Sequence, residues 1–499
     1  MSRAFKLTRR LLLAVSMATL TASLAIPGAL AQDKTSVVAA LVAEPLSLNP
    51  IYDTGLPALN VFYNVFDQLT TIDATGKVIP RLATEWSHSE DLKTWTFVLR
   101  ENATFHDGTP VTAADVLFTY ETARGDPKAR LGNYLVTVDT ITANGDYEVV
   151  FTLKIPYAPF DRQATLIPIV SKAAYEAMGA EAYAKKPIAS GPYSVENWVN
   201  GDTITLKRYD AYWGNPGAYE TLVFQPVPDE TTRANSVQSG DLDVALLGPS
   251  SVPAVRSSGA VNVVDQQSNR ILYVGFNSGQ TWLANPTIRE AINLAIDRET
   301  LGARLLNGAV EPTSQLVAKV SFGFDPAITA PTFDVEKAKS LVSEAGYDGS
   351  PIPLTYATTG LPQIDQIAQA VAFFLQEIGL NVELDPLEAS TYSATWFGGE
   401  LKGIYIGAFA PSVMDADLPF NMLLRSGRQG YNDDPEVDAL LDKQIGQADL
   451  AARAATLSEI SMIVKDKVYY APLFIDTYTY AVAKDVAWTP RPDGMIVFN

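Results

Sequence analysis

The 499-residue sequence contains no cysteine and only two histidines, His88 and His106. Without cysteine there are no disulfides, so stability has to come from burial, and there is no thiol to carry an N-terminal lipid. A metal site built on imidazole would have to use one of the two histidines, and both read as exposed turn residues. Beyond residue 31 no long uncharged apolar run occurs, which argues against a membrane span in the body of the chain. Catalytic signatures are missing too. There is no G-x-S-x-G elbow, no H-E-x-x-H pair, no Walker A loop and no dinucleotide fingerprint. The acid pairs Asp415/Asp417 and Asp433/Asp434 lack calcium-loop spacing. A glycosidase could still use two such carboxylates, so a secreted hydrolase stands as the rival class. Neither a catalytic residue, a metal nor a cofactor is called for.

Hydrophobic residues make up 47% and charged residues 19%, a balance typical of folded chains and too apolar for disorder. The length points to two or three subdomains. Net charge is −19. The stretch 1–31 holds four basic residues and no acid, so the remainder carries −23. A body this acidic repels phosphate backbones and anionic lipid, which speaks against nucleic acid as a partner.

The first 31 residues read as a cleavable signal peptide. Arg3, Lys6, Arg9 and Arg10 precede an apolar run from Leu11 to Ile26, and Pro27-Gly28 breaks it. Ala29-Leu30-Ala31 then has the small-x-small pattern that signal peptidase reads. Together with the missing lipid-anchor thiol, this implies a free protein in a bacterial periplasm.

Periodicity gives a mixed α/β pattern. Thr35–Leu41, Trp95–Arg100, Gly145–Lys154, Ile204–Lys207 and Ile271–Phe276 read as strands, and Leu59–Leu69 and Pro286–Leu301 as helices. Thr112, with Asp115 three residues on, opens a helix as a capping-box variant. Asp334 caps another, which Gly346 ends. The best-defined unit is βαβ: strand Ile352–Thr358, a helix with its stripe from Ile364 to Ile378, a stop at Gly379, and a strand through Leu380, Val382 and Leu384. Parallel strands with helical crossovers imply an α/β layered fold.

The segment Glu85–Phe118, EWSHSEDLKTWTFVLRENATFHDGTPVTAADVLF, resembles the signature region of the family-5 extracellular solute-binding proteins. These are the peptide, nickel and oligosaccharide receptors of ABC importers. EPLSLNP at Glu44–Pro50, SGPYSVENWVNGDTITLKRYDAYWG at Ser190–Gly214 and SGDLDVALL at Ser239–Leu247 match other blocks of that family. FNS at Phe276–Ser278, IREAINLAIDRETL at Ile288–Leu301, YNDDPEVDALL at Tyr431–Leu441 and YYAPLFIDTYTYAV near the end follow in order. Most of these residues read as scaffold. Trp95, Phe97, Leu99 and Phe105 are expected in the core, and Gly191-Pro192-Tyr193 and Tyr212-Trp213-Gly214 in packing and turns.

The resemblance implies a two-lobed periplasmic binding protein fold of the large class II type, with the early lobe split into two subdomains. Lobe I covers 32–274, lobe II 275–474, and 475–499 returns to lobe I. The crossings fall near Tyr273–Asn277 and Pro472–Tyr478. It also implies a monomeric receptor that captures a peptide between the lobes and delivers it to inner-membrane ABC permease subunits. The same role for an oligosaccharide or opine is the alternative, with nickel third. In peptide-binding members an aspartate four residues before a proline pairs with the ligand's ammonium group, and Asp415 stands so before Pro419. The upstream tryptophan frequent in those members is replaced here by Phe409-Ala410-Pro411-Ser412-Val413-Met414. Trp396 and Phe409 are expected as aromatic walls, with Tyr392 nearby. Glu44 and Leu46 resemble early-lobe contacts, and Tyr273, Asn277 and Tyr478 sit at the crossings.

Overall fold

The computed structural model describes residues 34–73, 75–280, 282–411, 413–429 and 431–498. The expected signal peptide, with its Ala29-Leu30-Ala31 site, lies outside the described residues, as does Ser412. From Thr35 onward the chain forms one compact unit. Among the described residues, no helix is long and apolar enough to cross a membrane.

The backbone is an eleven-stranded mixed sheet. Its centre is a pair of long antiparallel strands, Asn262–Phe276 and Tyr470–Val482, paired from Asn262↔Val482 to Gly275↔Tyr470. On one side lie Val244–Leu247, Ser36–Leu41, Thr221–Pro226, Thr203–Arg208 and Tyr193–Val199. On the other lie Ile404–Phe409, Ile352–Ala357 and Val382–Leu387, and the eleventh strand, Val310–Pro312, pairs with Tyr470–Val482 off this path. A separate four-stranded antiparallel sheet is built from Ala83–His88, Thr94–Leu99, Glu148–Leu153 and Val138–Ala143.

The two long strands belong to two cores in turn. Tyr478, Tyr480 and Val482 pack with an early core that also holds Val37, Phe97 and Phe151. Leu272, Val274, Phe276, Leu473 and Phe474 pack with a later core around Ile292, Leu354 and Val371. The changeover coincides with a register shift between Gln267 and Ile271. Such an irregularity leaves residues out of the ladder and lets the paired strands bend locally.

Local chemistry explains the elements. The helix Ala113–Gly125 starts where Asp115 Oδ2 accepts the Thr112 amide at 2.9 Å, and the other Asp115 oxygen accepts the amide of Lys172 at 2.9 Å. Asp334 Oδ1 caps Val335–Glu344 by accepting the Lys337 amide at 2.9 Å. In the βαβ unit, Ile352–Ala357 and Val382–Leu387 pair in parallel, and the helix Ile364–Glu377 turns Ile367, Ala368, Val371 and Leu375 inward. Sequence and structure differ over Pro286–Leu301. Two helices stand there, Pro286–Ala295 and Arg298–Leu305, because Ile296 is extended and Asp297 accepts the Thr300 amide at 3.0 Å to cap a new helix.

The signature segment is scaffold, as its residue types imply. Trp95, Phe97, Leu99 and Phe105 are buried, and Asp107 accepts the Thr109 amide at 3.0 Å in the turn through Gly108. Tyr212 and Trp213 donate to the two oxygens of the buried Asp67, each at 3.0 Å, and Arg81 pairs with the same carboxylate at 2.6 Å. A Cβ on Gly191 would stand 2.5 Å from the backbone carbon of Val65, so close approach requires glycine there. His88 is exposed, as expected, but His106 is not a free turn residue. Its Nδ1 accepts the Ala189 amide at 3.3 Å, and Nε2 lies 3.0 Å from the Gly191 carbonyl, so the ring braces two strands of chain. Burial pushes its pKa down.

Candidate functional site

A cavity of about 650 Å3 runs beside the changeover in the two long strands. One wall comes from elements of the early half: Leu56, Leu246, Leu247, Val252 and Pro253. The facing wall comes from Leu306–Ala309, Gly360 and Pro362, and the floor from Asp265, Arg270, Leu272 and the run Asp476–Thr479 of the long strands. This volume and this mostly apolar lining suit a small organic ligand.

The polar groups of the floor are ordered by the strands that carry them. Arg270 donates from Nε to Asp476 Oδ2 at 2.8 Å, with a second bond from Nη2, and its guanidinium stands 5.7 Å from the centre of the Tyr478 ring. Burial disfavours the guanidinium charge, but the Asp476 carboxylate more than offsets this and raises the arginine's pKa. Arg256 bonds both oxygens of Asp265 at 3.1 and 2.9 Å. Arg270 and Asp476 were not among the residues that sequence reasoning singled out. Their only signal is opposite charge beside the facing pair Ile271↔Ile475, which is visible only once the register is known.

Of the eight expected site residues, Tyr478 alone lines this cavity. Glu44 Oε1 accepts the indole N–H of Trp198 and the amide of Gly201, both at 2.9 Å, so its carboxylate ties a hairpin. Leu46 is 71% exposed. Tyr273 is buried edge-on to Tyr405 and Tyr470. Asn277 donates to the Leu401 carbonyl at 2.7 Å and accepts the Gly279 amide at 3.1 Å, closing the turn after its strand. Trp396, Phe409 and Tyr392 are half-buried against a third core centred on Tyr405 and Phe420. The Nε1–H of Trp396 is buried with no hydrogen-bond partner among the described residues.

Asp415 is paired within the fold itself. The expected ligand carboxylate is fully buried and held by Arg453, whose Nη2 and Nη1 reach its two oxygens at 2.6 and 2.8 Å. The Asp417 amide donates to Asp415 Oδ1 at 2.9 Å, and Arg162 approaches Oδ2 at 3.5 Å. Burial on its own raises the Asp415 carboxyl, but Arg453 and then Arg162 override it and hold the group below its ordinary value. A carboxylate with both oxygens bonded to a buried guanidinium has no open face for a ligand ammonium in this conformation.

The cluster around Asp415 joins distant segments instead. Tyr157 donates to Asp417 Oδ2 at 3.1 Å, the Ala158 amide donates to the Ile445 carbonyl at 2.7 Å, and Arg453 Nε donates to Gln444 Oε1 at 3.0 Å. The Arg453 guanidinium also lies 4.9 Å from the centre of the Phe322 ring. Asp417 is pushed up by burial and by the Asp415 charge beside it.

Residues 77–431 match the model of the bacterial extracellular solute-binding proteins, family 5. The chain belongs to this family. Among relatives, it is 27% identical over 475 residues to the probable D,D-dipeptide-binding periplasmic protein DdpA of Escherichia coli, covering 91% of each chain. Among solved structures, it superposes on the ABC transporter substrate-binding protein CtaP of Listeria monocytogenes with a TM-score of 0.84 at 25% identity, covering 93% of this chain and 98% of that one. The dipeptide-binding protein of a Pseudoalteromonas species, solved with Met-Leu, gives a TM-score of 0.76 at 25% identity, with 93% and 98% coverage. The α/β architecture is thus that of the periplasmic binding proteins.

Proposed function

We propose that this chain is the periplasmic substrate-binding protein of an ABC importer, exported by a cleaved signal peptide and free of a lipid anchor. It captures a short peptide between two lobes and presents it to the permease without changing it chemically. Lobe I takes 32–274 and the return 475–499, and lobe II takes 275–474. The observation that carries the reading is the cavity of about 650 Å3, walled by both halves of the chain and floored by the two long strands that run from one core to the other. A ligand held there touches both halves, so it favours the closed arrangement of the lobes, and only the loaded form presents the closed surface to a permease. The names of the relatives point to small peptides as the ligand class.

The test is a thermal-shift and calorimetric screen of short peptides on the purified protein. A ligand at ~100 times its dissociation constant adds ~2.7 kcal/mol of stability. A peptide hit recovered unaltered by mass spectrometry supports the reading. Conversion of the ligand to product, or hits confined to sugars and opines, would overturn it.

A further inference from the structure

The cavity wall restricts the charge of its guest, given that the receptor reading holds. Four charged side chains line it, and each is committed to another. Arg270 is bonded to Asp476 through two nitrogens, and the remaining Asp476 oxygen accepts the Thr477 amide at 2.9 Å. Arg256 spans both oxygens of Asp265, which also accepts the Thr479 hydroxyl at 2.8 Å. The inner pair is the better shielded, with side-chain exposures of 21% and 13%, against 51% and 45% for the outer. The two pairs sum to zero charge, and leucine, valine and proline make up much of the wall around them. Asp415 and Glu44, the two carboxylates expected at a ligand, are held by Arg453 and by Trp198 with Gly201, and neither lines the cavity.

A free ammonium or carboxylate entering this space would leave water for a wall on which every opposite charge already has a partner. It would have to share a charge that its partner already neutralises or break that pair, and at the shielded Arg270–Asp476 pair either is costly. A guest with uncharged ends gives up no such hydration, and its apolar body gains from the wall. We propose that the ligand is a short apolar peptide whose ends carry no charge, end-blocked or cyclic, and that the shielded Arg270–Asp476 pair selects against free termini.

Calorimetry on the purified protein with three probes tests this: Leu-Ala-Leu with free ends, its N-acetyl C-amide form, and the cyclic dipeptide of leucine. At least one uncharged probe should bind tenfold or more tighter than the free-ended peptide. Equal or tighter binding of the free-ended peptide would overturn the selection while leaving the peptide-receptor reading intact. Silence from all three would overturn both. In the variant Asp476→Asn, which leaves Arg270 without its counter-charge, the N-acetyl free-acid form of the same peptide should gain at least fivefold in affinity relative to the fully blocked form measured on the same variant. No gain for the acid would count against the proposal, and the probe series on the unmodified protein stands even if this variant misfolds.

Discussion

Whether Asp415 serves a ligand or the fold can be decided without any ligand. Removing its partner, as in Arg453→Met, leaves a fully buried carboxylate with the Asp417 amide at 2.9 Å and, for its charge, Arg162 at 3.5 Å. Breaking a buried pair from one side typically costs ~3–5 kcal/mol, because the remaining charge is left unpaired in a medium of low polarity. Arg162 recovers part of that, which places the expectation near the lower end, ~3 kcal/mol at neutral pH. Asp415→Asn removes the charge but keeps the shape, and leaves Arg453 with Gln444 and the Phe322 ring. The double variant Asp415→Asn/Arg453→Met should lose less than the sum of the two single losses, with a coupling of more than ~1 kcal/mol for groups in direct contact.

The pH dependence carries a sign of its own. In the unmodified protein the Asp415 carboxyl lies below its ordinary value, so its contribution is present above the unfolded value of 3.8 and is lost as pH falls through the lower folded one. In Arg453→Met the same carboxyl, still buried but without that partner, moves up. The destabilisation should therefore shrink as the solution is acidified through the raised value. Urea unfolding of the ligand-free protein, followed by tryptophan fluorescence at pH 7.5 and pH 5, reads both effects. A loss below 1 kcal/mol for Arg453→Met, or strict additivity in the double variant, would refute the structural role and reopen Asp415 as a ligand group.

Two further expectations follow from single residues. His106 is held below its ordinary value by burial, and protonation of Nδ1 would cost the bond from the Ala189 amide. The unfolded state therefore binds more protons, so stability declines as pH falls below the unfolded value of 6.5 toward the lower folded one. His106→Asn should flatten that slope in urea midpoints taken between pH 7.5 and pH 5, and an unchanged slope would assign it elsewhere. Gly191→Ala should lower the unfolding midpoint by an amount equivalent to ~2 kcal/mol or more, because the new methyl meets the Val65 backbone, which has no rotamer to move away with. A loss under ~0.5 kcal/mol would show that the 65–66 segment yields freely.

Elements with a complete local signal were legible in the sequence. The βαβ unit from Ile352 to Leu387 declares itself through a period near 3.6 between two short apolar runs, and its helix and parallel strands stand where that pattern puts them. The Thr112 and Asp334 caps needed only neighbours three residues away. The break at Ile296–Asp297 was locally signalled as well, but the apolar spacing continues across it and masks the capping aspartate. Side-chain roles fared worse because their causes are distant. Glu44 is bound to an indole 154 positions away, and Asp415 to a guanidinium 38 positions away on the helix Leu450–Asp466. No spacing rule reaches that far. A carboxylate in a loop looks the same in sequence whether it faces solvent, a ligand or a buried arginine.

The same distinction explains why the family is easier to read than its guest. The quoted blocks supply the cavity with Leu246, Leu247 and Asp476–Thr479, while the facing wall at 306–309 and 360–362 comes from stretches without any motif. Residues such as Tyr212, Trp213 and Gly191 persist in the pattern because they fix Asp67 and the Val65 backbone, and that requirement is the same whatever the cavity holds. What the cavity holds is set by which wall charges are left unpaired, and here each of the four has a partner: Arg270 meets Asp476 across the two long strands, and Asp265 meets Arg256 on the helix Val252–Ser258.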